Sequence, residues 1–172
     1  MNDRRRRFEQ LVLPHLDAAH NLACWLCRST VDAEDVVQEA MLRAFRAFDG
    51  FRGGEAKPWL LAIVRNCHYT AMGQKNKHRS VPLPADDDAG PVTEERDPEA
   101  ATVDADTARR LHIAIAALPE EFRETLVLRE MEEMSYREIA EITGAPIGTV
   151  MSRLARARAL LRERWLEKET VQ

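Results

Sequence analysis

Four side chains late in the chain have the chemistry to meet a nucleic acid: Thr149, Ser152, Arg153 and Arg156. Their spacing of three and four places them on one face of a helix. Hydroxyls and guanidinium forks donate to phosphate oxygens, and an Arg fork also fits guanine O6 and N7 together. Ile147, Val150, Leu154, Ala157 and Leu161 occupy the opposite arc, so one face is expected to pack while the other shows donors. Residues 147–164 hold five Arg and one acid, Glu163. A solvated face usually mixes both signs, so this bias favours a phosphate-facing surface over an ordinary helical hairpin.

A second group suggests metal or thiol chemistry. His20, Cys24 and Cys27 fall at i, i+4 and i+7, on one helical face. As ligands they are one short of a closed structural zinc site, and Cys67 or His68 supplies the fourth only through tertiary contact. A thiol is more often a small buried hydrophobe, so the expectation is no bound metal. Redox sensing by the Cys24/Cys27 pair is no better supported. No Ser/His/Asp order, phosphate loop or paired-carboxylate site stands out, so no enzyme and no cofactor are expected.

The elements that must position the donors are legible around them. Ser135 followed three residues later by Glu138 is a capping box, which satisfies free N–H groups at a helix start. Ile139, Ala140 and Ile142 give a short amphipathic helix that stops at Gly144, where a positive φ costs glycine nothing. Pro146 restarts the chain at a first-turn position. Two helices joined by a glycine-containing turn, with a basic outer face, form a helix-turn-helix whose second helix suits the major groove. Just upstream, Pro119 begins a helix with Glu120 and Glu121 in its first turn; Phe122, Leu126, Val127 and Met131 form its apolar side, expected to pack under the helix-turn-helix.

Earlier in the chain, Phe8, Leu11, Val12, Leu16, Ala19, Leu22, Ala23 and Leu26 recur at helical spacing around Pro14, a kink or a first turn. Asp32 is expected to open the next helix, supported by Asp35, with Val37, Met41, Ala44, Phe45 and Phe48 as its apolar side. Asp35, Gln38 and Leu42, with Glu39 beside them, run along another stripe. Acids suit a helix start, yet this stripe continues past the first turn, as a docking surface would. Glycines mark a loop from Asp49 to Gly54, and Pro58 begins a helix through Trp59, Leu60, Ile63, Val64 and Cys67. From Arg65 to Arg79 the charged side chains are basic and none is acidic. Basic groups beside aromatics suit a single strand, where bases stack and phosphates pair, although Trp59 alone reads more readily as core.

The 172 residues, with a net charge of −4, have room for one medium domain or two small ones. The charge is uneven: residues 82–106 hold nine acids and one base, and also four of the eight prolines. Without them the chain is net positive by four, all of it from residues 1–81. The expected organisation is all-α: helical domains at 1–81 and 107–172 joined by an acidic linker at 82–106, with helix resuming near Val103. No apolar run is long enough to span a bilayer, the basic start lacks a signal-peptide core, and three cysteines do not make a disulfide scaffold. The chain reads as cytoplasmic.

Taken together these residues resemble an extracytoplasmic-function (group IV) sigma factor of the sigma-70 family. DAEDVVQEAMLRAFRAFDGFRG (32–53) and WLLAIVRN (59–66) are similar to region 2; LPEEFRETLVLREMEEMSYREIAEITGAPIGTVMSRLARARALLRE (118–163) is similar to region 4. The resemblance implies that Asp35, Gln38, Glu39 and Leu42 dock on the clamp helices of the largest subunit of core RNA polymerase, with region 4 at the flap. It implies that Asn66 reads a flipped base of the minus-10 element, helped by Phe51 and Trp59, while Arg65, Lys75 and Lys77 hold nearby backbone. Thr149, Ser152, Arg153 and Arg156 then read the minus-35 element. An anti-sigma factor and a stress or envelope response are also implied. Met151 departs from the family, standing where many relatives carry Lys or Arg. The competing expectation is a stand-alone helix-turn-helix regulator, which needs neither the 35–42 stripe nor the basic 65–79 segment.

Overall fold

The computed structural model describes residues 2–78 and 102–170; the stretch read as an acidic linker lies outside them except for its last five residues. Among the described residues the secondary structure is helical throughout, as the sequence leads one to expect. The helices are α1 (Asn2–Leu11), α2 (Leu16–Leu26), α3 (Thr30–Ala47), α4 (Ala56–His78), α5 (Thr102–Ala116), α6 (Glu120–Leu126), α7 (Tyr136–Thr143) and α8 (Ile147–Thr170). None is long and apolar enough to cross a membrane.

Local chemistry sets most of the boundaries. Pro14 lies in a short 3-10 turn, Leu13–His15, and divides α1 from α2, because proline cannot donate to the helical ladder. Ser135 and Glu138 form the full capping box, with bonds of 3.1 and 3.2 Å between each side chain and the other's N–H. Gly144 ends α7 at φ +72°, the left-handed region. Helix α5 begins at Thr102, one residue before Val103.

Three expectations are corrected. The cap of α3 is Ser29, whose hydroxyl accepts from the Asp32 N–H at 3.1 Å, so Asp32 belongs to the first turn. The start shifts because Ser29 is extended and its oxygen reaches the third N–H after it. Phe45 and Ile147, assigned to packing arcs, are exposed at 36% and 45%; small residues take the core side of α3 instead, namely Ala33, Ala40 and Ala44 beside Val36 and Val37. The helix after Pro119 widens into a π-turn at Val127–Met131, which rotates Leu128 inward and leaves Met131 exposed.

The N-terminal helices α2, α3 and α4 pack on one another around Leu22, Leu26, Ala40, Leu60, Leu61 and Val64. In the C-terminal part α6, α7 and α8 close over Leu126, Leu128, Ile139, Val150 and Leu154. The two sets are not separate. Helix α7 lies against α4, α6 against α2, and their buried residues form one continuous core.

Candidate nucleic-acid interface

On α8, Val150, Leu154 and Ala157 are buried, and the donor face turns away from them. Ser152 and Arg156 are exposed, Thr149 and Arg153 half-buried. The Ser152 hydroxyl donates back to the Thr149 carbonyl at 3.0 Å, so its lone pairs remain to accept. Arg153 lies 3.9 Å from a Glu121 carboxylate oxygen, a loose pair on an exposed acid that a phosphate could displace. The four residues thus share one outward face, fixed from behind by α6 and α7.

The stripe on α3 is also outward. Asp35 and Gln38 are exposed, Leu42 is exposed at 51% and Val31, one turn ahead, at 67%. Glu39 is held by Arg43, whose Nε donates to it at 2.8 Å across one turn. An acid and an amide flanked by two exposed apolar side chains suit a helix-against-helix contact.

The basic face of α4 is placed differently. Arg65 donates to Glu124, which lies 59 residues further on in α6 and is 1% exposed. Tyr69 lies beside the same carboxylate, its hydroxyl 3.5 Å away, and the Arg65 guanidinium stacks on its ring at 4.5 Å. One turn away, His68 Nε2 is 3.0 Å from Glu120. At the other end of α4, Lys57 donates to the Glu132 carbonyl at 2.9 Å and pairs with its carboxylate at 3.2 Å; Asn21 donates to that carboxylate at 2.7 Å. Three acids of the C-terminal part therefore grip the basic and polar face of the N-terminal part.

Burial raises the Glu124 carboxyl above its ordinary value, with Arg65 pulling the other way. Burial, then Glu124 and Glu120, push the Tyr69 phenol up to about 12. Both effects follow from drying a charged face.

The other expected minus-10 residues are scattered along α4 and the loop before it. Phe51 and Trp59 are half-buried with ring centroids 4.9 Å apart, and Phe51 stacks on Phe48. Their faces are partly used by one another. Asn66 is exposed beside Arg65. Lys75 and Lys77 lie in α4, but their side chains fall outside the described residues.

His20, Cys24 and Cys27 do not converge. Cys24 Sγ lies 3.7 and 3.9 Å from the two ring nitrogens of His20, whereas Cys27 Sγ turns to His68 Nδ1 at 3.5 Å. No cluster able to hold a metal occurs among the described residues.

Sequence reasoning missed Asn21, Lys57, Glu120, Glu124 and Glu132 as contacts between the two parts. A signal existed for two of them: Glu120 and Glu124 share a face at i, i+4, and Arg65, His68 and Tyr69 share one at i, i+3, i+4. That the two faces meet required the tertiary structure.

This architecture, with an exposed stripe on α3, a helix-turn-helix at α7–α8 and a basic α4, matches a known class. Residues 11–78 match the family "Sigma-70 region 2" and residues 108–161 match "Sigma-70, region 4". The chain belongs to the sigma-70 family, and within it to the ECF sigma factors, a family of transcription initiation factors rather than of catalytic enzymes. It is 37% identical over 134 residues to the ECF RNA polymerase sigma-E factor of Escherichia coli K12, covering 74% of this chain and 70% of that one. It is 34% identical to the RNA polymerase sigma-H factor of Pseudomonas aeruginosa, covering 90% and 83%. Against the ECF RNA polymerase sigma factor SigE of Mycolicibacterium smegmatis it is 35% identical over 91% of its length, and spans 60% of that longer relative. Among solved structures it is similar to the sigma factor RpoE of Bartonella quintana, crystallised with the anti-sigma factor NepR, at a TM-score of 0.76 and 28% identity over 93% of this chain and 97% of that one.

Proposed function

We propose that the chain acts in the cytoplasm as an alternative sigma factor, a non-enzymatic subunit that binds core RNA polymerase and directs initiation at its own promoters. One observation carries this reading. The exposed Val31, Asp35, Gln38 and Leu42 stripe stands on the same chain as the outward Thr149, Ser152 and Arg156 face. A stand-alone regulator needs only the second. The proposed division is 1–81 for polymerase docking and minus-10 recognition, 82–106 as linker, and 107–172 for minus-35 recognition.

In this division Asp35, Gln38, Glu39 and Leu42 meet the polymerase clamp helices, and the C-terminal part reaches the flap. Asn66 can pair with an unstacked base, since an amide donates and accepts along one edge. Phe51 and Trp59 support it, while Arg65, Lys75 and Lys77 hold phosphates. Melting here needs no catalysis, because binding of splayed bases offsets their lost stacking. Thr149, Ser152, Arg153 and Arg156 read the minus-35 duplex.

The closed arrangement occupies Arg65 with Glu124 and leaves the α3 stripe free. Docking on polymerase can therefore precede opening, and opening releases the minus-10 face. An anti-sigma factor covering the polymerase- or DNA-binding faces is the expected inhibitor, in keeping with the complex that the Bartonella relative forms with an anti-sigma factor; a stress or envelope signal is the expected trigger. The test is to mix the purified chain with bacterial core polymerase and map transcript starts. Co-elution and discrete starts are expected. Tight duplex binding by the chain alone, without core binding, would establish the stand-alone regulator instead.

A further inference from the structure

Cys27 sits where α2 ends, at the seam between the two parts of the chain. Its Sγ lies 3.5 Å from His68 Nδ1, and His68 Nε2 lies 3.0 Å from a Glu120 oxygen. The order is thiol, imidazole, carboxylate, drawn from α2, α4 and α6. His68 is 3% exposed, so the ring is held between its two partners. A base with its far nitrogen fixed by a carboxylate is the arrangement that activates a nucleophile. Cys27 itself is half-buried, which admits a small reagent.

We propose that Cys27 is a reactive thiol that takes a small hydroperoxide, and that its oxidation opens the clasp between the two parts. His68 draws the thiol proton, and Glu120 stabilises the resulting imidazolium. The sulfur attacks the peroxide oxygen; an S–O bond forms, the O–O bond breaks and the leaving hydroxide takes the proton from His68 as water. Sulfur loses two electrons and the peroxide gains them, leaving a sulfenic acid. The sulfenic acid is larger than the thiol and replaces the S–H that faces His68 Nδ1 at 3.5 Å, so the ring loses that contact and loosens from Glu120.

The other two thiols give the contrast. Burial, then Glu34, raises the Cys24 thiol, and its neighbour His20 is exposed and almost equidistant through both nitrogens. Burial raises the Cys67 thiol, with Arg43 opposing. Facing His68 are Cys27 from α2, Glu120 and Glu124 from α6, and Tyr69 and Arg65 along its own helix.

The functional half of this proposal rests on the sigma-factor reading; the thiol chemistry does not. The experiment treats the full chain with hydrogen peroxide and a dimedone trap, reads each cysteine by peptide mass spectrometry, and follows compactness by small-angle scattering. Cys27 is expected to react at least about tenfold faster than Cys24 or Cys67, with Glu120→Gln and His68→Gln slowing it by a similar factor. Glu120 is partly exposed in a first helical turn, so its variant tests the relay even where the His68 variant does not fold. The radius of gyration should rise with the extent of Cys27 oxidation and stay constant in Cys27→Ser. Equal labelling of the three thiols, or labelling unchanged by Glu120→Gln, would overturn the site. Oxidation without expansion would overturn the switch. Selective labelling in a chain that does not bind polymerase would keep the thiol site and remove the sigma reading.

Discussion

Arg65 of α4 donates to the carboxylate of Glu124 in α6, joining the basic face of one part, proposed above to meet the minus-10 element, to the interior of the other. Side-chain exposure is 20% for Arg65 and 1% for Glu124. The pair is thus a buried contact rather than a surface decoration. Such a pair says little about net stability while intact, but removing one partner strands the other in a dry site.

Arg65→Ala should therefore destabilise the closed state by roughly 3–5 kcal/mol, the usual cost of an uncompensated buried charge. Chemical denaturation and small-angle scattering check this together. An expanded chain that retains its helical circular dichroism would show that the clasp opens before either part unfolds. Unchanged stability and compactness would mean that Glu124 finds water or another donor.

The pH response has a defined sign. The Glu124 carboxyl is raised in the closed state, so that state holds its proton more tightly than the open one. Its contribution is present at pH below the ordinary carboxyl value and is lost as pH rises through the raised one. Tyr69, pushed up to about 12, behaves likewise: its contribution is complete below the ordinary phenol value of about 10 and is lost between there and about 12. Ultraviolet titration of the chain against Tyr69→Phe should show one late-ionising phenol, and Glu124→Gln should bring it down. A Tyr69 that ionises at its ordinary value would place it in water and contradict the clasp.

Arg156→Ala should weaken promoter-specific initiation while leaving polymerase binding intact, because Arg156 is exposed on the outer face of α8 alone. If it reads a guanine, the loss is about 1–3 kcal/mol of discrimination at one base. Footprinting of the minus-35 region and core-binding assays separate the two effects. Equal loss of both would sink that division of roles.

Asp35→Ala combined with Gln38→Ala should do the reverse. Both side chains are exposed on α3, so the fold should change by no more than about 0.5 kcal/mol. Affinity for core polymerase should fall by about tenfold or more if the stripe is the docking surface, a loss above 1 kcal/mol. Normal binding by the double variant would reduce the stripe to a helix start.

The capping box at Ser135 and Glu138, the glycine at 144 and the outer face of α8 were all legible in the sequence, because each depends on contacts within a few residues. Such local chemistry also marks the α3 stripe and the proline breaks. Boundaries failed where two local solutions compete: Ser29 and Asp32 both cap well, and only backbone geometry chose Ser29. Leu128 and Met131 changed places because a π-turn adds a residue to the turn, which no 3.6-residue period anticipates.

What the sequence determined by itself was the helices, the two regions and the faces each presents, since periodicity, caps and charge act over one or two turns. What only the tertiary structure decided was how those faces are used. The basic run of α4 reads as a phosphate-binding surface, yet in the closed chain Arg65, His68 and Lys57 meet Glu124, Glu120 and Glu132. Partners 52 to 75 residues apart are brought together by packing α6 and α7 over α2 and α4, and no local pattern encodes that meeting. The Cys27–His68–Glu120 arrangement arises in the same way, from three helices that only the shared core places side by side.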